Sequence, residues 1–197
     1  MMRLLRRIGA VAAVASILMA SSCLFDTRDP EPPTGDTTVC TLESSEKAFL
    51  CMANALEDQQ DAGYDRSISD NFIFSPTLTD SLDQNFPGCD IGAPTCVYNN
   101  WTKEVEMEVL GQLLGDAQST IVDFGSPSAL INKSTFVRYR VTYSLEVVDA
   151  DTTTYEGVAE IDVRNEGGDW RVTFWNEVET VEGSRTWGYL RGITRLP

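Results

Sequence analysis

Apolar and polar positions recur with two different periods along this chain, and the change between them divides it. Over residues 44–57, Ala48, Phe49, Met52, Ala55 and Leu56 fall three and four apart, which predicts an amphipathic helix. A second, short helix is predicted over 59–69, with Tyr64 and Ile68 four apart on its buried side. Phe72-Ile73-Phe74 reads as a short strand closed by Ser75-Pro76, and residues 77–99 as a loop rich in Gly and Pro. Asn99 or Asn100 is placed to cap a third helix, Trp101 to Leu114. Its apolar positions are Trp101, Val105, Val109 and Leu113, widened by Met107, Leu110 and Leu114. Glu104, Glu106 and Glu108 are expected mostly off that face.

Beyond residue 118 the period drops to two. Residues 119–124 form a plausible strand. Over 136–148, Val137, Tyr139, Val141, Tyr143, Leu145 and Val147 alternate with polar residues, the mark of a half-buried antiparallel strand. A strand over 153–164 puts Tyr155, Ala159, Ile161 and Val163 on one face. Gly167-Gly168 makes a hairpin into a strand over 169–180. Its phase is expected to put Trp170, Val172, Phe174 and Val178 on the buried face and Arg171, Thr173, Trp175 and Glu177 on the other. Residues 181–197 read as a short tail.

The N-terminus follows neither period. Met1 to Arg7 is basic, Ile8 to Ala20 is uncharged and apolar, and Ala20-Ser21-Ser22 leads into Cys23. That order predicts a secretory signal peptide over 1–22. The run falls short of the ~20 residues of a spanning helix. Small residues leading into a cysteine resemble the lipobox of bacterial lipoproteins. That resemblance implies cleavage before Cys23, acyl chains on Cys23 and anchoring to the lipid bilayer on the outer side of the cytoplasmic membrane. Leu24 in the next position leans towards the outer membrane where a cell has one. Residues 23–41, rich in Pro, Asp and Thr, read as the lipidated cysteine and a flexible tether, and 42–197 as a single domain.

Composition narrows the function classes. The chain carries 15 basic and 30 acidic residues. Arg3, Arg6 and Arg7 belong to the segment removed on cleavage, so the mature chain is more acidic still. That opposes binding to nucleic acid. The absence of histidine excludes Ser-His-Asp and Cys-His catalysis and His-based zinc hydrolysis. No Cys-x-x-Cys pair or phosphate-binding glycine loop occurs, so neither a metal nor a cofactor is expected. Cys40, Cys51, Cys89 and Cys96 are an even set in an exported chain, which points to two disulfides. The Gly/Pro loop between Cys89 and Cys96 favours a local clasp there and Cys40–Cys51 by elimination, with the crossed pairings open.

The element order is helix, helix, short strand, helix, then about four long antiparallel strands. It resembles the NTF2-like (SnoaL-like, cystatin-like) α+β fold, in which a curved antiparallel sheet wraps three N-terminal helices. Phe72-Ile73-Phe74, the helix from Trp101 and the hairpin Glu166 to Val172 followed by Trp175 carry the likeness. The resemblance implies a conical pocket between sheet and helices. Tyr64, Phe72, Trp101, Tyr139, Tyr143 and Trp175 are then candidates to line it, for a small apolar ligand or an envelope protein partner. Enzymatic members use an Asp, Tyr or His for proton transfer, and Asp70 and Asn71 lie near where some carry an acid. Every Asp or Glu that the pattern places is expected in a turn, near a helix end or on a polar strand face. The reading is therefore a non-catalytic binder. A cofactor-free isomerase or dehydratase, with a buried carboxylate beside a tyrosine, is the alternative.

Overall fold

The computed structural model describes residues 40–89 and 93–196. The expected signal peptide, Cys23 and most of the tether lie outside these residues.

Helix α1 (Ser45–Glu57) begins where the Ser44 hydroxyl accepts from the Lys47 N–H, and it buries the stripe read from the sequence. Helix α2 (Asp61–Ser67) is shorter than expected, because the chain is already extended at Ile68. Strand β1 (Ile68–Ser75) therefore begins four residues before the expected triplet. A single turn, α3 (Leu78–Ser81), interrupts the loop that follows. Helix α4 (Lys103–Asp116) has Thr102, not Asn99 or Asn100, at its N-cap position, and Trp101 precedes it. Asn100 has φ 52°, a left-handed turn conformation rather than the extended one a cap requires.

The sheet comprises β1, β2 (Ser119–Phe124), β3 (Ser128–Lys133), β4 (Phe136–Val148), β5 (Thr152–Glu166) and β6 (Asp169–Thr180). Its order is β1-β6-β5-β4-β2. β2 pairs with residues 143–148 of β4 and β3 with residues 136–140, so the two share one edge of β4. β1 runs parallel to β6, and the other pairs are antiparallel. The expected all-antiparallel sheet is thus a curved, unclosed mixed sheet. β3 went unread because nearly all of it is exposed and carries no apolar alternation. The expected tail also contains helix α5 (Trp187–Arg195), packed on α4 and β5.

One local event changes the face that β6 presents. Val163 pairs with Val172 and Asp162 with Phe174, so Thr173 is an extra residue bulged out of the ladder. An inserted residue reverses every later side chain of a strand whose period is two. Val172 points inward as expected. After the bulge Trp175 and Glu177 point inward too, both buried, and Phe174 is only half-buried. Trp170 is half-buried rather than buried. The assigned phase of β6 was therefore wrong from Thr173 onward. β4 and β5 keep the alternation read from the sequence, with Val137, Tyr139, Val141, Tyr143, Leu145, Ala159, Ile161 and Val163 all buried.

Two close cysteine pairs sit on this frame. Cys40 and Cys51 have Cα atoms 5.0 Å apart, and Cys89 and Cys96 have theirs 4.1 Å apart.

Candidate functional site

The concave side of the sheet faces α1, α2, α4 and α5, and two carboxylates meet there. Glu106 comes from α4. Its position is in phase with Val109, Leu110 and Leu113, so it belongs to the buried stripe and not to the polar face expected for it. Its oxygens accept from the Tyr64 hydroxyl at 2.6 Å and from the Trp101 Nε1 at 2.8 Å. Arg191 of α5 completes the set, its Nε 3.0 and 3.1 Å and its Nη2 2.6 Å from the Glu106 oxygens. Both side chains are nearly inaccessible, at 1% and 2% exposure.

Glu177 of β6 is the second carboxylate. It accepts from the Tyr143 hydroxyl at 2.7 Å and from the Trp175 Nε1 at 2.9 Å. The Tyr143 oxygen in turn accepts from the backbone N–H of Trp187 at 3.0 Å, which ties the start of α5 to the sheet. Tyr143 can lie across β5 because its partner there is Gly157. A Cβ at 157 would stand 2.6 Å from the Tyr143 hydroxyl. The Arg191 Nη1 is 3.8 Å from Glu177, beyond hydrogen-bond reach, and has no partner among the described residues. The guanidinium instead rests among aromatic rings, 4.5 Å from the centre of Phe74, 4.4 Å from Trp187 and 5.0 Å from Trp175.

Burial sets the electrostatics. It pushes the Glu177 carboxyl up to about 7, against the opposing pull of Arg191 and of the hydrogen bonds from Tyr143 and Trp175. Burial, reinforced by the neighbouring carboxylates, pushes the Tyr64 and Tyr143 phenols well above their ordinary values. Burial also works against the Arg191 charge, but Glu106, Tyr64 and Glu177 outweigh it and hold the guanidinium protonated.

Helix α5 is keyed into place by its own cap. The Thr186 hydroxyl accepts from the Tyr189 N–H and donates to Asp80, which also accepts from Thr77 at the head of α3. Gly192 lets the helix settle against Phe86 and Tyr98, since a Cβ there would overlap the Phe86 ring and the Tyr98 hydroxyl. The Tyr98 hydroxyl donates to the Gly188 carbonyl.

Of the residues expected to line a pocket, Tyr64, Trp101, Tyr143 and Trp175 converge on this charged cluster. Phe72 is buried in the core. Tyr139 lies apart, 2.6 Å from the Ser45 hydroxyl and edge-on to Phe49. Asp70 and Asn71 are exposed, and Asp70 pairs with Lys103 on the surface. The expectation that every carboxylate lies in a solvated position fails at buried Asp80 and Asp162 and, within this cluster, at Glu106 and Glu177. The sequence reading missed both, and it missed Trp187 and Arg191. The helical phase of Glu106 with Val109 and Leu113 was a usable signal. Glu177 was hidden by the bulge at Thr173.

This architecture is the NTF2-like α+β fold. No protein-family model matches the sequence, and no curated protein matches it. Solved structures do. Kfla4162 from Kribbella flavida is 12% identical with a TM-score of 0.54, over 74% of this chain and 93% of that one. A protein provisionally described as a scytalone dehydratase, from Novosphingobium aromaticivorans, is 10% identical with a TM-score of 0.53, over 69% and 81%. From the same organism, the β subunit of a provisionally described aromatic-ring-hydroxylating dioxygenase is 13% identical with a TM-score of 0.52, over 71% and 89%. At such identities the likeness is one of fold.

Proposed function

We propose that this chain is an envelope lipoprotein, anchored through acyl chains on Cys23, whose NTF2-like domain binds rather than catalyses. The basic, apolar and small-residue order before Cys23 supports the anchor. The two close cysteine pairs are disulfides in this reading, in keeping with an oxidising compartment. The observation that carries the non-catalytic half is the occupation of the cone by its own chain. Trp187 and Arg191 fill the space between Glu106 and Glu177, and Glu177, Tyr143 and Trp175 are all buried. A ligand of this domain then meets its outer surface.

The second reading is a proton-transfer enzyme using Glu177 and Tyr143. The 2.7 Å hydrogen bond between them and the raised carboxyl favour it. It requires α5 to leave the cone, because a proton donor must touch its substrate.

Two measurements test the proposal. Mass spectrometry of the mature N-terminal peptide is expected to find Cys23 acylated, and an unmodified Cys23 refutes the anchor. Carbodiimide labelling of the native protein near pH 6 is expected to modify exposed Glu43 and Glu104 and to spare Glu106 and Glu177. Labelling of Glu177 as fast as the exposed carboxyls shows an open cone and favours the enzyme.

A further inference from the structure

We propose that the groove between α1 and β2 is a binding site for a small amphiphilic cation, a molecule with an apolar body and one ammonium group. The proposal rests on the reading above, that this domain binds through its outer surface. The groove holds about 420 Å³, which is within the range of small-molecule pockets. Its floor is apolar, from Phe49, Val122 and Phe124. Leu50 forms part of its wall at 58% exposure, although neighbouring Phe49 and Cys51 are buried. Glu46, Leu50, Ala53 and Glu57 recur three and four apart, so one face of α1 presents two apolar side chains between two carboxylates. Asp123 adds a third carboxylate from β2.

No basic residue is among the described residues that line the groove. Lys47, which lies next to Glu46 in sequence, is paired with Glu43. Glu57 accepts from the Val122 N–H at 3.3 Å, which holds its carboxylate at the groove, and among the described residues no cation pairs with it. An apolar floor alone would accept a fatty acid, an alcohol or an amine equally. Three carboxylates with no basic residue beside them among the described lining residues repel the acid and attract the amine, so charge selects among ligands of similar shape.

The test uses octyltrimethylammonium, octanol and octanoate below their aggregation limits, with the intact domain, by calorimetry and by NMR shifts. The cation is expected to bind best, octanol several-fold more weakly and octanoate weakest, with the cation's affinity falling as salt rises. Glu57→Gln combined with Asp123→Asn is expected to weaken the cation roughly tenfold and leave octanol unchanged. Leu50→Arg places a charge of the ligand's own sign in the groove and is expected to abolish binding. Leu50 is exposed, so the fold is retained, which circular dichroism checks. Octanoate binding as tightly as the cation overturns the proposal, as does undiminished binding to Leu50→Arg. Binding of a Lys/Leu-rich peptide without binding of the cation overturns it in favour of a protein partner. If the probe instead shifts the Trp175 and Trp187 indole resonances and survives Leu50→Arg, it has entered the cone, and the closed-cone reading is what fails.

Discussion

Replacing Glu177 by Gln is expected to remove a pH dependence from the stability of this domain. Burial lifts the carboxyl from an ordinary 4.5 to about 7 in the folded protein. Below pH 4.5 it is neutral in both states and contributes no penalty. Between 4.5 and 7 the unfolded chain ionises while the folded one keeps its proton, so stability falls as pH rises. Above 7 both states are ionised and the full penalty applies, about 3 kcal/mol at ~1.4 kcal/mol per pH decade. The window is unusually clean, because the chain has no histidine. The carboxyls of Glu43, Asp70 and Glu104 are lowered, by hydrogen bonds from Lys47, Lys103 and Thr102 respectively, so their effects fall below pH 4.5 and carry the opposite sign. Urea denaturation of the wild type is expected to give a midpoint roughly 1–2 M lower at pH 8 than at pH 5. Glu177→Gln keeps an oxygen for Trp175 and an amide that can donate to Tyr143, so its curve is expected to be nearly flat over that range. It should match the wild type at pH 5 to within about 1 kcal/mol and exceed it at pH 8. A wild-type stability that does not change between pH 5 and 8, or a Gln variant that keeps the slope, refutes the assignment of a buried, largely protonated Glu177.

Other expectations follow from packing. Trp175→Ala should cost about 3–5 kcal/mol and half-buried Trp170→Ala distinctly less, in the same denaturation assay; the reverse ranking would place the bulge elsewhere. Gly157→Ala should cost roughly 1–3 kcal/mol, because its Cβ drives into the Tyr143 hydroxyl, and weakened protection of the Trp187 amide in hydrogen exchange would confirm the displacement. Peptide mapping without reductant should recover Cys40 with Cys51 and Cys89 with Cys96, whereas free thiols or crossed pairs would contradict the close approach of each pair.

The helices were legible wherever an apolar stripe ran for three turns, as in α1, and the strands wherever alternation was uninterrupted, as in β4. α5 was not legible because glycines at 188 and 192 lower its helical signal. Those same glycines allow it to pack so closely against Phe74, Phe86 and Tyr98. A capping threonine at 186, with Trp187, Leu190 and Arg191 at helical spacing, was the trace it left. The candidate site was half legible. Tyr64, Trp101 and Tyr143 stood on predicted faces, but Trp175 was hidden by the bulge, Trp187 lay in the unread tail, and the charges were the residues that polarity alone assigns to water. Glu106 and Arg191 are buried because they satisfy each other, and Glu177 because Tyr143 and Trp175 hydrogen-bond to it, which is a property of distant positions and not of any local window.

The placement of Arg191 on the last helix has a consequence for how the chain reaches its final state. Glu106, Glu177, Tyr64 and Tyr143 all emerge from the ribosome before Arg191 does. Until residue 191 follows, Glu106 lacks the guanidinium that offsets its burial, and the space between Glu106 and Glu177 lacks the side chains that fill it. Strand β1 adds to the delay, since residues 68–75 find their parallel partner only at 172–176. The buried charge cluster is therefore complete only once α5 has been made.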